Sequence, residues 1–276
     1  MPLYQYHNKA GRLLLQNLQW RVTPPNKFND PFEMSPIMRL KDPHAFARWF
    51  VDTAFVDSAF FNDHKVVFPL CRDFAEFQRL ARANRSTLFE NVLKNMSTLE
   101  LEAQQMSPDT ISEDMGVICL TYDPLQPLMW AHYADKHCGL VIEFDETNPK
   151  FSPPDFLTIE YSDDRAEHDP FSRDAAKNID AFARRKSLHW AYEQECRLLV
   201  ALRDTVEAKD DQGDAIRVLP ITDPSIIKSV TYGLRIDPVL RHDVDVLLNA
   251  KHLSHVERFE VHLDNVEFQL RRRRAV

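Results

Sequence analysis

The chain has 276 residues, 44% hydrophobic, 28% charged and 11% aromatic, an ordinary globular composition with room for one large domain or two small ones. A net charge of −8 argues against a protein that coats nucleic acid, and five glycines are too few to write the glycine-rich loops of P-loop or Rossmann proteins. No apolar run is long enough to span a bilayer, and Met1–Tyr6 lacks the basic-then-apolar order of a secretory signal, so a cytoplasmic protein without a membrane partner is expected.

Leu3–His7 reads as a strand, and Asn8 as the N-cap of a short helix carrying Leu13, Leu14 and Leu15. Trp20–Thr23 alternates as a second strand and stops at Pro24-Pro25. The loop that follows, Phe28-Asn29-Asp30-Pro31-Phe32-Glu33, sets two aromatic anchors around three polar side chains. An Asx-turn and a site loop fit it equally well.

From Pro43 to about Gln105 the apolar period changes to 3.6. Phe46, Trp49, Phe50, Ala54 and Phe55 form one stripe, and Phe74, Phe77, Leu80 and Ala81, continued by Leu88, Val92, Leu93 and Met96, another. These are inserted helices whose rings pack together, with no catalytic grouping. Ser107–Glu113 reads as a surface connection.

Strands are expected at Gly116–Tyr122, Gly139–Asp145 and Leu157–Tyr161, with a helical turn at Leu128–Tyr133 that carries Trp130 and Tyr133 on one side. A helix is expected over about Arg173–Lys186, basic at its C-terminal end as the helix dipole favours. Next comes Glu193-Gln194-Glu195-Cys196-Arg197, opening a strand to about Leu202. Period two puts Glu193, Glu195 and Arg197 on one face, a costly arrangement unless the charges pair or act on something. Arg203–Gly213 is a hairpin-like connection. Strands follow at Ile216–Leu219, Ile226–Tyr232, Val256–His262 and Val266–Leu270, with a helix capped by Asp237 among them. Arg271–Arg274 reads as a solvated tail. The whole is an α+β pattern, expected as a single domain over 1–276 with a helical insertion at about 43–105.

Four clusters carry unusual residues: Tyr4-Tyr6-His7, the Asn29-Asp30-Glu33 loop, Trp130-His132-Tyr133 and Glu193-Glu195-Arg197. Brought together, they make a pocket with aromatic faces and carboxylates, suited to stacking a planar cationic ring and stabilising an oxocarbenium-like transition state. That chemistry fits cleavage of an N-glycosidic bond to a leaving group such as nicotinamide. Glu195 and Arg197 read equally as a structural ion pair, and Trp130 and Tyr133 as core residues. The four cysteines are scattered, and His132, His137 and Cys138 match no familiar metal-site spacing, so no metal is expected.

The strings FNDPFE and E-x-E-x-R, with Tyr4-Gln5-Tyr6, Trp130-Ala131-His132-Tyr133 and Val230-Thr231-Tyr232-Gly233, resemble a bacterial domain of unknown function, number 2971. More distantly, the order of aromatic strand, short helix, strand, aromatic helix and E-x-E strand is similar to ADP-ribosyltransferases. That second resemblance implies a split mixed or antiparallel sheet core and NAD as substrate. It gives Tyr6 or His7 a role in holding NAD, Tyr133 or Trp130 a stacking role, and Glu195 the promotion of nicotinamide loss. Glu193 would position the acceptor, with Asn29, Asp30 and Arg197 among the binding residues. A clear Ser-Thr-Ser strand is missing, Cys119-Leu120-Thr121 being nearest. The implied activity is an ADP-ribosyltransferase or NAD glycohydrolase, of the kind used as toxins or in phage defence. The acceptor would be a protein, a nucleic acid or water, and a cognate inhibitor is conceivable. The rivals are a metal-dependent phosphodiesterase using Asp30, Glu33 and Glu193, and a non-catalytic nucleotide sensor.

Overall fold

A computed structural model describes residues 1–169 and 183–275. It has the α+β composition expected, and its backbone divides into two compact units. One comprises Met1–Glu33, Pro108–Asp164 and Arg184–Val276, the other Met34–Ser107 and Arg165–Ala183.

The first unit is built on an eight-stranded sheet. From one edge to the other the strands are Leu270–Arg274, Glu257–Leu263, Ile227–Tyr232, Leu140–Phe144, Leu3–His7, Met115–Thr121, Glu195–Ala201 and Phe156–Thr158. All neighbours run antiparallel except Ile227–Tyr232 and Glu257–Leu263, which are parallel and are linked through the helix Pro238–Leu248. Parallel neighbours need such a crossover, whereas antiparallel ones do not.

Alternation along the central strands sorts side chains between two faces. Leu3, Ile142, Cys196, Leu198 and Val200 belong to the main core, under the helices Gly11–Asn17 and Pro238–Leu248. Tyr4 and Tyr6 belong instead to a smaller cluster with Met129 and Trp130, contributed by the helix Pro127–Tyr133. Glu195 and Arg197 alternate with Cys196 and Leu198, so they fall on this second face. The register carries it across the sheet, Glu195 opposite Thr121 and Thr121 opposite Tyr4.

The second unit is helical over Pro43–Val56, Ser58–Asp63, Phe74–Ala83 and Arg85–Lys94. Asp42, Asp57, Asp73 and Asn84 each cap one of these by accepting a first-turn amide N–H, which satisfies donors that have no intrahelical acceptor. The aromatic stripes pack as core, with Phe77 4.8 Å from Phe61 and 4.7 Å from Phe68 between ring centroids.

Several local expectations change. The polar stretch read as a connection at 107–113 lies in the helix Met96–Asp114, where Ser112 Oγ donates to the Pro108 carbonyl at 2.6 Å. The helix expected over Arg173–Lys186 falls mostly on residues 170–182, outside the described ones, but Arg185–Ser187 is a strand, paired in parallel with Glu160–Ser162. Asn8 lies just ahead of the first helix, accepting from Ala10 N–H, and does not cap it. The last strand is Leu270–Arg274, not Val266–Leu270, so the basic tail is part of the sheet. Asp264 fixes the preceding turn by accepting from the Val266 and Glu267 amides; Arg271 pairs back with that turn, and Arg272, Arg273 and Arg274 pair with acids on other strands.

Candidate active site

The acids of the mid-chain motif reach one place by different routes. Glu193 ends the 3-10 turn Leu188–Glu193, so it is not a strand residue as the alternation suggested. Gln194 then adopts a left-handed conformation (φ 44°), which reverses the chain into the strand that opens at Glu195. Side-chain carboxylates from the turn and the strand thereby converge on the Lys186 ammonium. Lys186 Nζ donates to Glu193 Oε2 at 2.6 Å and to Glu195 Oε2 at 2.7 Å, and lies 3.5 Å from Glu33 Oε2.

Arg197 completes the cluster. Its Nε donates to Glu195 Oε1 at 2.8 Å, and its guanidinium also donates to Glu33. The FNDPFE loop and the E-x-E-x-R motif, whose Glu33 and Arg197 are 164 residues apart in sequence, therefore meet through Arg197 and Lys186. The five residues Glu33, Lys186, Glu193, Glu195 and Arg197 are at most 6% exposed. Three carboxylates face two cations, which leaves a net negative character if all are ionised. Buried charge of this kind is tolerated only when each member is hydrogen-bonded.

The surrounding groups supply those bonds. Tyr133 donates its hydroxyl to Glu193 Oε1 at 2.7 Å and accepts from Asn29 Nδ2 at 3.2 Å. The Glu195 amide donates to the Tyr161 hydroxyl at 2.8 Å, and Thr121 Oγ1 donates to the Glu193 carbonyl at 2.5 Å. The Lys186 ammonium also sits 5.3 Å from the centroid of the Trp190 ring.

Electrostatics follow from this packing. Burial raises the Glu195 carboxyl above the ordinary glutamate value, against the opposing pull of Lys186. Burial alone would lower Lys186, but the charges of Glu195 and Glu193 outweigh it and hold the ammonium above the usual lysine range. Lys186 is thus a fixed cation and not a nucleophile. Burial, then the Glu193 charge, raises the Tyr133 phenol. Burial, then the Glu195 charge, keeps the Cys119 thiol protonated.

Glu33, Lys186, Glu193 and Glu195 line a cavity of about 470 Å³, within the size range of small-molecule sites. Tyr4, Tyr6, Met129, His132 and Tyr133 contribute aromatic and apolar walls, while Asn29, Glu33, Lys186, Glu193 and Glu195 contribute polar ones. Tyr6 lines it with its ring, since its hydroxyl donates to the Asp123 carbonyl at 2.9 Å.

Other candidates lie elsewhere. His7 points to the opposite face from Tyr6 and is not a wall of this cavity; burial lowers its pKa to about 4, and its Nε2 is buried without a hydrogen-bond partner. Trp130 is 0% exposed, with its indole N–H on the Pro124 carbonyl, and packs edge-on against Tyr6 as core. Arg197 is behind the acids and braces them without facing the cavity. Asp30 also stays off the cavity wall, accepting from Phe32 N–H in an Asx-turn that orders the loop. Among the described residues no group of three His, Cys, Asp or Glu side chains is placed to hold a metal. The positive charge a divalent cation would bring to Glu33 and Glu193 is supplied by Lys186 and Arg197.

Sequence reading missed Lys186 and Tyr161 as site residues. Lys186 closes a basic run that suits a helix end, and only the pairing of Arg185–Ser187 with Glu160–Ser162 turns it inward.

Residues 129–198 match the model of a family described as a protein of unknown function, DUF2971. The family resemblance read from the motifs holds over that stretch, which carries Tyr133, Lys186, Glu193, Glu195 and Arg197. No curated protein and no solved structure matches the chain.

Proposed function

We propose that the first unit is an NAD-consuming enzyme of ADP-ribosyltransferase-like architecture, which transfers ADP-ribose to an acceptor or to water. The observation that carries this is the pair Glu193 and Glu195, buried and held by one lysine on the wall of a tyrosine-lined cavity.

The chemistry asks for little beyond what is there. The bond between nicotinamide and the ribose C1′ breaks, the bonding pair leaves with the ring, and positive charge develops on the sugar. A preorganised carboxylate in a dry setting stabilises that charge more than water does. Glu195 serves this role, aligned by Arg197 and Lys186. Glu193, bonded to Lys186 and Tyr133, would accept the proton of the incoming hydroxyl. Tyr6 and Tyr133 flank the leaving ring.

The test is nicotinamide release from NAD, followed by chromatography, for the wild type and Glu195→Gln. A rate that falls by about 100-fold or more in the variant supports the reading. It should also climb with pH above the ordinary glutamate range, since only the ionised carboxylate stabilises the sugar. Release unchanged in Glu195→Gln, or none from the wild type with protein, nucleic acid or water as acceptor, contradicts it. One feature favours a second reading, a nucleotide sensor without turnover: both Glu195 oxygens are already hydrogen-bonded. NAD binding without release would identify that case.

A further inference from the structure

The cavity is bipolar. Its acidic end is buried, whereas its other charged wall residues, Arg21 and Lys27, are exposed. Arg21 extends from the strand Gln19–Val22, and Lys27 from the 3-10 turn Pro25–Lys27 just ahead of the FNDPFE loop. Lys186, the remaining lysine of the cavity, is committed to the carboxylates. A second hollow of about 640 Å³ shares Arg21, Thr23 and Lys27 as walls. The two cations therefore stand where the hollows adjoin. The second hollow also carries Arg217 and the acids Glu207, Asp210 and Asp214. Of these, Asp210 lies 3.8 Å from Arg21, a loose contact at an arginine that is 60% exposed.

We infer that Arg21 and Lys27 form an anion clamp at the mouth of the cavity, so that the substrate is a phosphorylated riboside and not a free nucleoside. Its sugar would face Glu193 and Glu195, its phosphates would lie on the shared wall, and the remainder would enter the second hollow. The inference rests on the proposed function for the end at which the sugar sits. Its physical basis is separate: a guanidinium and an ammonium on one shared wall can each hold phosphate through charge-assisted hydrogen bonds. Their exposure also lets them meet a ligand at little desolvation cost.

Calorimetric titration with ADP-ribose, ADP and nicotinamide riboside tests the clamp on the full chain. The wild type should bind ADP-ribose and ADP about tenfold or more tightly than the riboside, the ratio expected of one or two hydrogen bonds to charged groups. In Arg21→Ala/Lys27→Ala that preference should vanish, with riboside affinity and melting temperature unchanged, because both side chains are exposed. Lys27→Glu alone should weaken both phosphorylated ligands further than Lys27→Ala. Equal affinity of the wild type for all three ligands, undiminished ADP-ribose binding in the double variant, or no binding of any ligand overturns the clamp. Nicotinamide release separates the two ideas. If the clamp fails but the chemistry holds, release from NAD persists at wild-type rate in the double variant. If the chemistry fails but the clamp holds, ADP-ribose binds in a clamp-dependent way while NAD stays intact.

Discussion

Two regions of the first unit are rich in charge, and they answer different physical demands. At the sheet edge, Arg271, Arg272, Arg273 and Arg274 pair with Asp264, Glu143, Glu260 and Glu257. Arg271, Arg273 and Arg274 are 52–72% exposed, so water already solvates them and each pair adds little. Their use is to make an edge strand unattractive to other strands. At the cavity, Glu33, Lys186, Glu193 and Glu195, with Arg197 behind them, are withdrawn from water and must solvate one another. A well-packed apolar cluster would be no less stable there. Buried charge retained beside an open cavity is therefore better explained by what it does to a ligand than by what it does for the fold.

Substitutions sharpen this contrast. Lys186→Met should have the largest effect, a loss of about 3–5 kcal/mol in denaturant unfolding, because it strands two buried carboxylates. Lys186→Met combined with Glu195→Gln should cost clearly less than the sum of the two singles, since the second change removes one stranded charge. Additive losses would show that Lys186 and Glu195 are not coupled. Tyr133→Phe leaves one Glu193 oxygen without its donor and should cost about 1–3 kcal/mol. At the other extreme, Arg273→Ala should shift stability by no more than about 1 kcal/mol, an effect that shrinks in high salt. A loss at Arg273 that rivals the one at Lys186 would erase the distinction.

The opposite face of the sheet provides a pH test. His7 is held neutral in the folded chain, with its pKa lowered to about 4 by burial, whereas the unfolded chain takes up a proton near 6.5. Below pH 6.5 the unfolded state thus binds more protons, and stability falls as pH drops from 6.5 towards 4, by up to about 1 kcal/mol per pH unit. His7→Leu should flatten that slope without changing NAD handling, since His7 is not a wall of the cavity.

Much of the arrangement was legible in the sequence, for identifiable reasons. Period two placed Glu195 and Arg197 on one face, and the structure puts both in the same ion cluster. The 3.6 period of the Phe stripes found the helices of the second unit. What failed depended on tertiary partners. Trp130 has the composition of a ring-stacker, but its helix presents Tyr133 to Glu193 and turns Trp130 into the core. Glu193 reaches the cluster through a 3-10 turn and a left-handed Gln194, which alternation cannot foresee. Lys186 sits in a basic run whose pairing with Glu160–Ser162 leaves no local signal. The arginine run looked like a frayed end because Arg272 pairs with an acid 129 residues away, a contact that no local pattern announces.

The most direct test is a crystal structure of Glu195→Gln soaked with NAD, which keeps the pocket and removes the reacting charge. The account predicts intact NAD with its nicotinamide ribose within hydrogen-bond distance of residues 193 and 195, the ring between Tyr6 and Tyr133. NAD bound away from those residues, or an empty cavity at saturating NAD, would contradict it.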